Sequence, residues 1–114
     1  MNINRIQPGA WNSRAVVHEN LVYLSGIVAD DKSAPMKEQT EQVLAKIDAI
    51  LAEAGTDKKR ILSATVYITE QVLKDEMNEA WMAWMDADYP PARAVVGVEL
   101  TPNTLVEIMV SAAR

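Results

Sequence analysis

The chain ends in ARAVVGVELTPNTLVEIMVSAAR, residues 92–114, and this stretch decides the class of fold. Two apolar segments, Ala92–Glu99 and Thr104–Ala113, stand on either side of Pro102-Asn103, a pair typical of a turn. We therefore predict that the chain closes with a hairpin of two neighbouring antiparallel strands. Each strand carries a charged side chain among apolar neighbours, so the same stretch is also the first candidate for chemistry.

Two amphipathic helices are predicted upstream of this hairpin. The first is capped by Ser33, holds Pro35 in its first turn and ends at Gly55, where glycine favours a helix stop. The second ends before Asp88-Tyr89-Pro90-Pro91, because proline disfavours helical backbone in the residue before it. Apolar residues at helical spacing form one stripe on each helix: Val43, Leu44, Ile47, Ile50 and Leu51 on the first, and Leu73, Met77, Ala80, Trp81 and Trp84 on the second.

Two further regions show the period of strands. Residues 14–25 predict a hairpin in which Asn20 takes a positive φ, and residues 61–69 predict a single strand. Gly26 lies between two apolar stretches, which indicates a bulge or the close approach of another backbone or a ligand. The order of elements predicts an α+β fold for residues 1–114 as one domain. Its core is a single mainly antiparallel β-sheet with two helices packed on one face.

The composition excludes several classes of function. The 114 residues contain no cysteine and one histidine, His18, which excludes a disulfide scaffold, a thiolate zinc site, an iron–sulfur cluster and a multi-histidine metal site. We therefore expect no metal site. The net charge of −5 argues against nucleic-acid binding. No apolar run reaches the ~20 residues of a membrane span and no signal peptide is evident, so we expect a cytoplasmic protein.

The helices leave one face of the predicted sheet uncovered. Five apolar residues are predicted to project from it: Val17, Tyr67, Val95, Leu105 and Met109. A small domain rarely exposes a large apolar face to water. Self-association is the simplest way to cover it, and we expect a homo-oligomer.

Arg93 and Glu107 are the candidate functional side chains of the C-terminal stretch. The planar guanidinium of Arg93 suits a carboxylate or phosphate, although a strand-end arginine also reaches solvent or pairs with Glu99. Apolar neighbours disfavour ionisation of Glu107 unless an arginine lies nearby, although a charge there also protects an edge strand. Because the predicted hairpin makes their strands neighbours, the pair is more informative than either residue alone.

These residues belong to motifs that resemble a known family. The segment Pro91–Val96, followed by Leu105–Ile108, resembles the C-terminal signature of the RidA family of reactive-intermediate deaminases, also called YjgF-like or L-PSP endoribonucleases. Leu24-Ser25-Gly26 resembles the family's second-strand motif, and Asn78 resembles the characteristic asparagine of its second helix. The resemblance extends over most of the chain.

The resemblance implies a fold like that of the small trimeric chorismate mutase, assembled as a homotrimer with ligand clefts between subunits. It implies that Arg93 binds the carboxylate of a small 2-imino or enamino acid. It also implies that Glu107, with a backbone carbonyl near Val95, positions the attacking water, and that Gly26 and Asn78 line the cleft. Hydrolysis then releases ammonia and a 2-oxo acid without a cofactor.

The sequence departs from this family pattern at its N-terminal end. The best-known deaminases carry Gly-Pro-Tyr before the first strand, whereas Ala10–Arg14 contains no tyrosine here and instead offers Trp11 and Asn12 to the pocket. Two functions therefore stay open. One is an imine/enamine deaminase, and the other is a non-catalytic trimer that binds a small carboxylate in the same cleft. An RNA-cleaving role is disfavoured by the acidic chain and its single histidine.

Overall fold

The computed structural model describes residues 2–114, within which strands and helices alternate along the chain. The elements are β1 (Ile3–Pro8), β2 (Ser13–His18), β3 (Leu21–Leu24), β4 (Ile27–Val28), α1 (Met36–Glu53), β5 (Ile61–Ile68), α2 (Lys74–Trp84), β6 (Ala92–Gly97) and β7 (Val106–Ala113). Short 3₁₀ helices, Lys58–Arg60 and Gln71–Leu73, precede β5 and α2. Neither α-helix is long and apolar enough to cross a membrane in this described part of the chain.

All strands join one sheet in the order β1-β2-β3-β7-β5-β6, and the short β4 pairs with β7 alongside β3. Every pairing is antiparallel except that of β5 with β6. Because β4 and β5 both run antiparallel to β7, they run in the same direction as each other. Helix α1 therefore joins two like-directed strands, as does α2. Both connections advance the same way across the sheet, and right-handed crossovers then place both helices on one face. The predicted α+β fold, a mainly antiparallel sheet with two helices on one face, is confirmed.

The predicted C-terminal hairpin is wrong. Strand β6 pairs in parallel with β5, which separates it from β7. The turn itself forms, with Asn103 at a φ of 66°, but it lies in a connection that crosses the end of β5. At the start of this connection Val98 N donates to Ile68 O at 3.0 Å, and near its end Leu105 O accepts from Thr69 N at 3.1 Å. Two apolar segments that flank a turn in the sequence predict two strands. They do not indicate whether another strand lies between those two in the sheet.

Smaller differences concern the ends of elements. Ser33 does not cap α1; Pro35 is the N-cap, and the Ser33 hydroxyl and amide donate to Asp31 Oδ1 instead. The turn between β2 and β3 has its positive φ at Glu19, not at the predicted Asn20. Gly55 ends α1 as predicted, with a φ of 84°.

Strand β1 was not predicted. It pairs with β2 and forms the edge of the sheet opposite β6. Among its six residues only Ile6 is buried, so its sequence lacks the alternation that marks a half-buried strand.

The apolar core lies between the sheet and the two helices. The apolar stripe predicted for α1 is fully buried in it, and Met77, Ala80 and Trp81 contribute from α2. The opposite face of the sheet is open and carries Tyr67 and Met109, as predicted. Val17, Val95 and Leu105 were predicted there but pack on the helix side: Val17 is buried in the core, and the other two pack against it.

The side chain of Gln39 ties α1 to the segment that leads into β7. This glutamine is fully buried, and its amide nitrogen donates to Ala34 O and Asn103 O, each at 3.0 Å. Its amide oxygen accepts from Leu105 N at 3.0 Å. One side chain thus satisfies three backbone groups from two segments that are distant in sequence.

We predict that Gln39→Leu lowers the free energy of unfolding by about 2–4 kcal/mol, because buried backbone groups lose their partner. Gln42→Leu is the matched control on the same helix. Its side chain makes one exposed contact, from Asp31 N at 3.1 Å, and the change costs less than about 1 kcal/mol. Urea denaturation measures both, and an equal cost would show that the buried amide contributes no more than an exposed one.

Candidate active site

Arg93 lies on edge strand β6 and projects toward the helix side of the sheet. Its register partner on β5 is Ala64, which faces the core. The guanidinium carbon lies over the ring of Trp81, 5.0 Å from the ring centroid, and Nη1 is 3.9 Å from the sulfur of Met77. The alternative pairing with Glu99 does not form within the described residues.

The guanidinium of Arg93 has one face against the Trp81 ring and no counter-ion from residues 2–114, while the residue as a whole is exposed at the edge of the sheet. Burial lowers the pKa of Arg93, yet an arginine stays charged throughout the physiological range. Its only hydrogen-bond contact within those residues is the weak one to Met77 sulfur. The N–H groups therefore remain available for an anionic ligand, and a planar carboxylate matches their fork.

Glu107 lies on the open face of the sheet, as the second residue of β7. Its neighbours along the strand, Val106 and Ile108, point into the core, and its register partners are Tyr67 on β5 and Val28 on β4. The side chain is half-buried and makes no hydrogen bond or ion pair with the described part of the chain. Its carboxylate is thus a half-buried acceptor that is free to accept hydrogen bonds from a ligand or a water molecule.

Gly26 makes room for this carboxylate where the chain passes from β3 to β4. A Cβ atom built on Gly26 would overlap Glu107 Oε2, so the close approach predicted at this glycine comes from a side chain. Ser25 holds the same segment to β2, with its hydroxyl donating to Ser13 O at 2.5 Å and its amide to Arg14 O at 3.0 Å.

The remaining predicted site residues divide between these two places. Asn78 directly follows Met77 on α2, and the oxygen of its side-chain amide is shielded from solvent without a hydrogen-bond partner among residues 2–114. Val95 lies two residues after Arg93 on the same face of β6. Trp11 and Asn12 lie in the turn between β1 and β2. This turn is at the same end of the sheet as the hydrogen bond from Ser25 to β2. The Trp11 side chain is 89% exposed.

Lys32 is a cation near Glu107 that the sequence did not single out. Its ammonium group folds back and donates to Ala29 O at 2.5 Å, just beyond the end of β4. Burial lowers the pKa of Lys32, and the carboxylates of Asp30 and Glu107 partly oppose that shift. Its segment, Asp30-Asp31-Lys32, resembles an ordinary charged loop, so only the fold places the ammonium near β7.

The two candidate residues lie on opposite faces of the sheet within one chain. Arg93 and Val95 lie on the helix side, where Met77 and Trp81 of α2 contact the guanidinium, and Glu107 lies on the open side against Gly26. The prediction that the two charged residues occupy neighbouring strands of a hairpin is wrong, since β5 lies between β6 and β7. A single chain therefore does not bring its guanidinium and its carboxylate together.

Comparison with known proteins identifies the class to which this fold and these residues belong. The family model described as endoribonuclease L-PSP matches residues 2–114. A RutC family protein of Haemophilus ducreyi is 40% identical over 112 residues, which cover 97% of this chain and 96% of the relative. The RutC family protein YoaB of Escherichia coli is 40% identical over 114 residues and 99% of both chains.

Solved structures agree with this assignment. A member of the YjgF family from Neisseria meningitidis superposes with a TM-score of 0.97 and 39% identity, covering 100% of this chain and 96% of that chain. A Rid family protein of unknown function from Yersinia pestis has a TM-score of 0.89 and 30% identity, covering 99% and 100%. The chain belongs to the L-PSP, RutC and YjgF family, which confirms the RidA resemblance of its motifs.

We predict that Gly26→Ala lowers the free energy of unfolding by about 1–3 kcal/mol, because the added Cβ displaces the Glu107 carboxylate. In a Glu107→Ala background the same change costs less than about 0.5 kcal/mol, since the overlapping atoms are gone. Gly9→Ala is the matched control, where an added Cβ meets only Asn12 O at 3.4 Å. Chemical denaturation of the four variants measures this, and equal costs in both backgrounds would exclude the contact as the cause.

Proposed function

We propose that this protein is a cofactor-independent deaminase that hydrolyses small 2-imino or enamino acids to 2-oxo acids and ammonia. The observation that carries the proposal is the Arg93 guanidinium, which stacks on the Trp81 ring at the exposed edge of the sheet and has no counter-ion among residues 2–114. Glu107 adds a half-buried carboxylate that also lacks a partner there. Membership in the Rid family supports the same reaction class.

We further propose that the site is completed between copies in a homotrimer. One subunit supplies Arg93 from edge strand β6, whose backbone edge is unpaired, and its neighbour supplies Glu107 from the open face. That open face carries Tyr23, 50% exposed, and Met109, 42% exposed, which a neighbour would cover. Trp11 and Asn12 stand at the same end of the sheet as Gly26 and would border the cleft.

In the proposed reaction Arg93 first binds the substrate carboxylate through two parallel N–H···O bonds. Glu107, with the backbone carbonyl near Val95, orients a water molecule toward the carbon of the C=N bond. As the water oxygen bonds to that carbon, Glu107 accepts a water proton and passes it to the imine nitrogen, which gives a carbinolamine. Glu107 then accepts the hydroxyl proton and passes it to the amino nitrogen as the C–N bond breaks, so that a 2-oxo acid forms and ammonia leaves. An enamine substrate enters this sequence after tautomerising to the imine.

The second candidate function is a protein that binds a small carboxylate without turnover. The observation in its favour is the turn between β1 and β2, where Trp11 and Asn12 occupy the positions expected to border the pocket. Both candidates use Arg93 in the same way, and only Glu107 separates them. Turnover of a freshly generated imino acid therefore decides between the two.

We predict opposite kinetic signatures for the two charged residues. Arg93→Lys keeps the charge but loses the planar fork, so carboxylate binding weakens by about 1–3 kcal/mol, and Arg93→Ala weakens it further. Glu107→Gln keeps the shape but accepts no proton, so turnover falls by about 10²–10⁴ while carboxylate binding stays close to that of the parent. An amino-acid oxidase supplies the imino acid, and its disappearance is followed with and without the protein.

Glu99→Gln is the control for these variants, because Glu99 is the nearby carboxylate that does not pair with Arg93. It leaves turnover unchanged. Unaltered turnover in Arg93→Ala would exclude the carboxylate anchor, and unaltered turnover in Glu107→Gln would exclude the base. A parent protein that binds the carboxylate but hydrolyses no imine would support the second function.

We predict that two inactive variants complement each other. If Arg93 and Glu107 come from different subunits, mixed trimers of Arg93→Ala and Glu107→Gln chains contain some fully native sites. With equal random mixing, each site has a one-half chance of an intact Arg93 from one subunit and a one-half chance of an intact Glu107 from the next. About one quarter of the sites are then native, and about one quarter of the parental activity returns. Light scattering gives a mass near 38 kDa, three times the 12.6 kDa chain. No recovery in refolded mixtures, or a stable monomer, would contradict a shared site.

A further inference from the structure

A column of cations and aromatic rings runs behind the candidate active site. The guanidinium of Arg93 lies over the Trp81 ring at 5.0 Å, and the Trp81 ring contacts Trp84 with centroids 5.4 Å apart and planes tilted by 57°. The ammonium of Lys58 lies over the other end of the column, 5.4 Å from the Trp84 ring centroid. Cations at both ends thus meet the electron-rich faces of the rings.

The Trp81 ring is held firmly in this column. Its side chain is 4% exposed and belongs to the apolar core. Behind it, the indole nitrogen of Trp84 donates to Asp48 Oδ2 on α1 at 2.9 Å, and Lys58 Nζ donates to Trp84 O at 2.6 Å. The ring that meets Arg93 is therefore held by the core and by a neighbouring ring that is itself bonded to α1, and it forms a rigid surface beneath the guanidinium.

Arg93 itself has no other strong restraint. It stands on an edge strand, and the only hydrogen-bond contact of its side chain within residues 2–114 is the weak one to Met77 sulfur. A long side chain in this position would otherwise sample many rotamers, and ordering it on binding would weaken affinity. The contact with the Trp81 face restricts the side chain before the ligand arrives while the N–H groups along its edge stay free.

We propose that Trp81 is a positioning residue for Arg93: the fixed indole face orients the guanidinium fork so that it receives a substrate carboxylate through two bonds. This role rests on the proposed function for its kinetic consequences. Its structural part concerns the free protein, so the two can be tested separately. The substrate class that benefits is a small imino acid with a carboxylate on the carbon next to the C=N bond.

The structural part is tested by nuclear magnetic resonance of the arginine Nε–H groups in the unliganded protein. Arg93→Lys identifies the Arg93 signal by its disappearance. We expect that signal upfield of the other four arginines, since it lies over an aromatic ring. The displacement is lost in Trp81→Leu and retained in part in Trp81→Phe. Trp84→Phe is the matched control, because it changes the ring behind Trp81 and leaves the Arg93 contact in place.

The kinetic part uses the imino-acid assay. Trp81→Leu raises KM by about threefold to thirtyfold, within the range of a cation–π contact, with kcat within about twofold of the parent. Trp81→Phe recovers most of the loss. In an Arg93→Lys background, Trp81→Leu raises KM by less than about twofold, because its effect passes through the guanidinium.

The outcomes separate the positioning role from the proposed function. An Arg93 signal that is not displaced in the parent overturns the positioning role, and this holds even if Trp81→Leu fails to fold. Equal KM effects of Trp81→Leu in the parent and in Arg93→Lys also overturn it, since a purely structural role would act in both. A displaced signal in a parent that hydrolyses no imino acid overturns the proposed reaction and supports the positioning role.

Discussion

The parallel pairing of β5 with β6 is the constraint on which the rest of the molecule depends. Parallel neighbours require a long crossover, and here α2 supplies it. The crossover carries β6 to the edge of the sheet and lays α2 over the face that Arg93 shares. The same helix brings Trp81 and Met77 beneath the guanidinium. If β6 paired with β7 instead, Arg93 and Glu107 would stand on neighbouring strands, as the local sequence pattern predicts.

The two charged groups differ in how the fold prepares them. Arg93 has a rigid aromatic surface beneath it and an open edge above it, so its order comes from packing. The carboxylate of Glu107 packs against the backbone of Gly26, in space that a side chain at position 26 would fill. Neither side chain makes an ion pair within residues 2–114, although the ammonium of Lys32 lies near Glu107. Uncompensated charge of this kind destabilises a chain, and it is typically retained where a ligand or neighbour provides the missing partner.

Local signals in the sequence predicted the elements well, and long-range pairing was where they failed. Gly55 marked the end of α1, and the apolar stripe of that helix marked its buried face. Nothing in residues 92–114 indicates that β5 separates the last two strands, because strand order depends on crossover geometry rather than on local pattern. Strand β1 was not predicted because it buries only Ile6. Val17 was assigned to the wrong face because the sequence does not give the strand register. Local chemistry and the family resemblance identified the candidate residues. Only the topology shows that Arg93 and Glu107 lie on opposite faces of the sheet.

The exposed edge of β6 has a consequence for how such a chain can evolve. Its residues Ala94 and Val96 are exposed, and Ala92–Gly97 contains neither proline nor lysine, the residues that usually discourage unwanted strand pairing. An exposed edge strand of this kind pairs readily with other chains unless a neighbour covers it. In the proposed trimer a neighbour covers this strand, and a substitution that separated the subunits would expose it to unwanted strand pairing. Under that proposal, selection against aggregation would preserve the same contacts that the shared site requires.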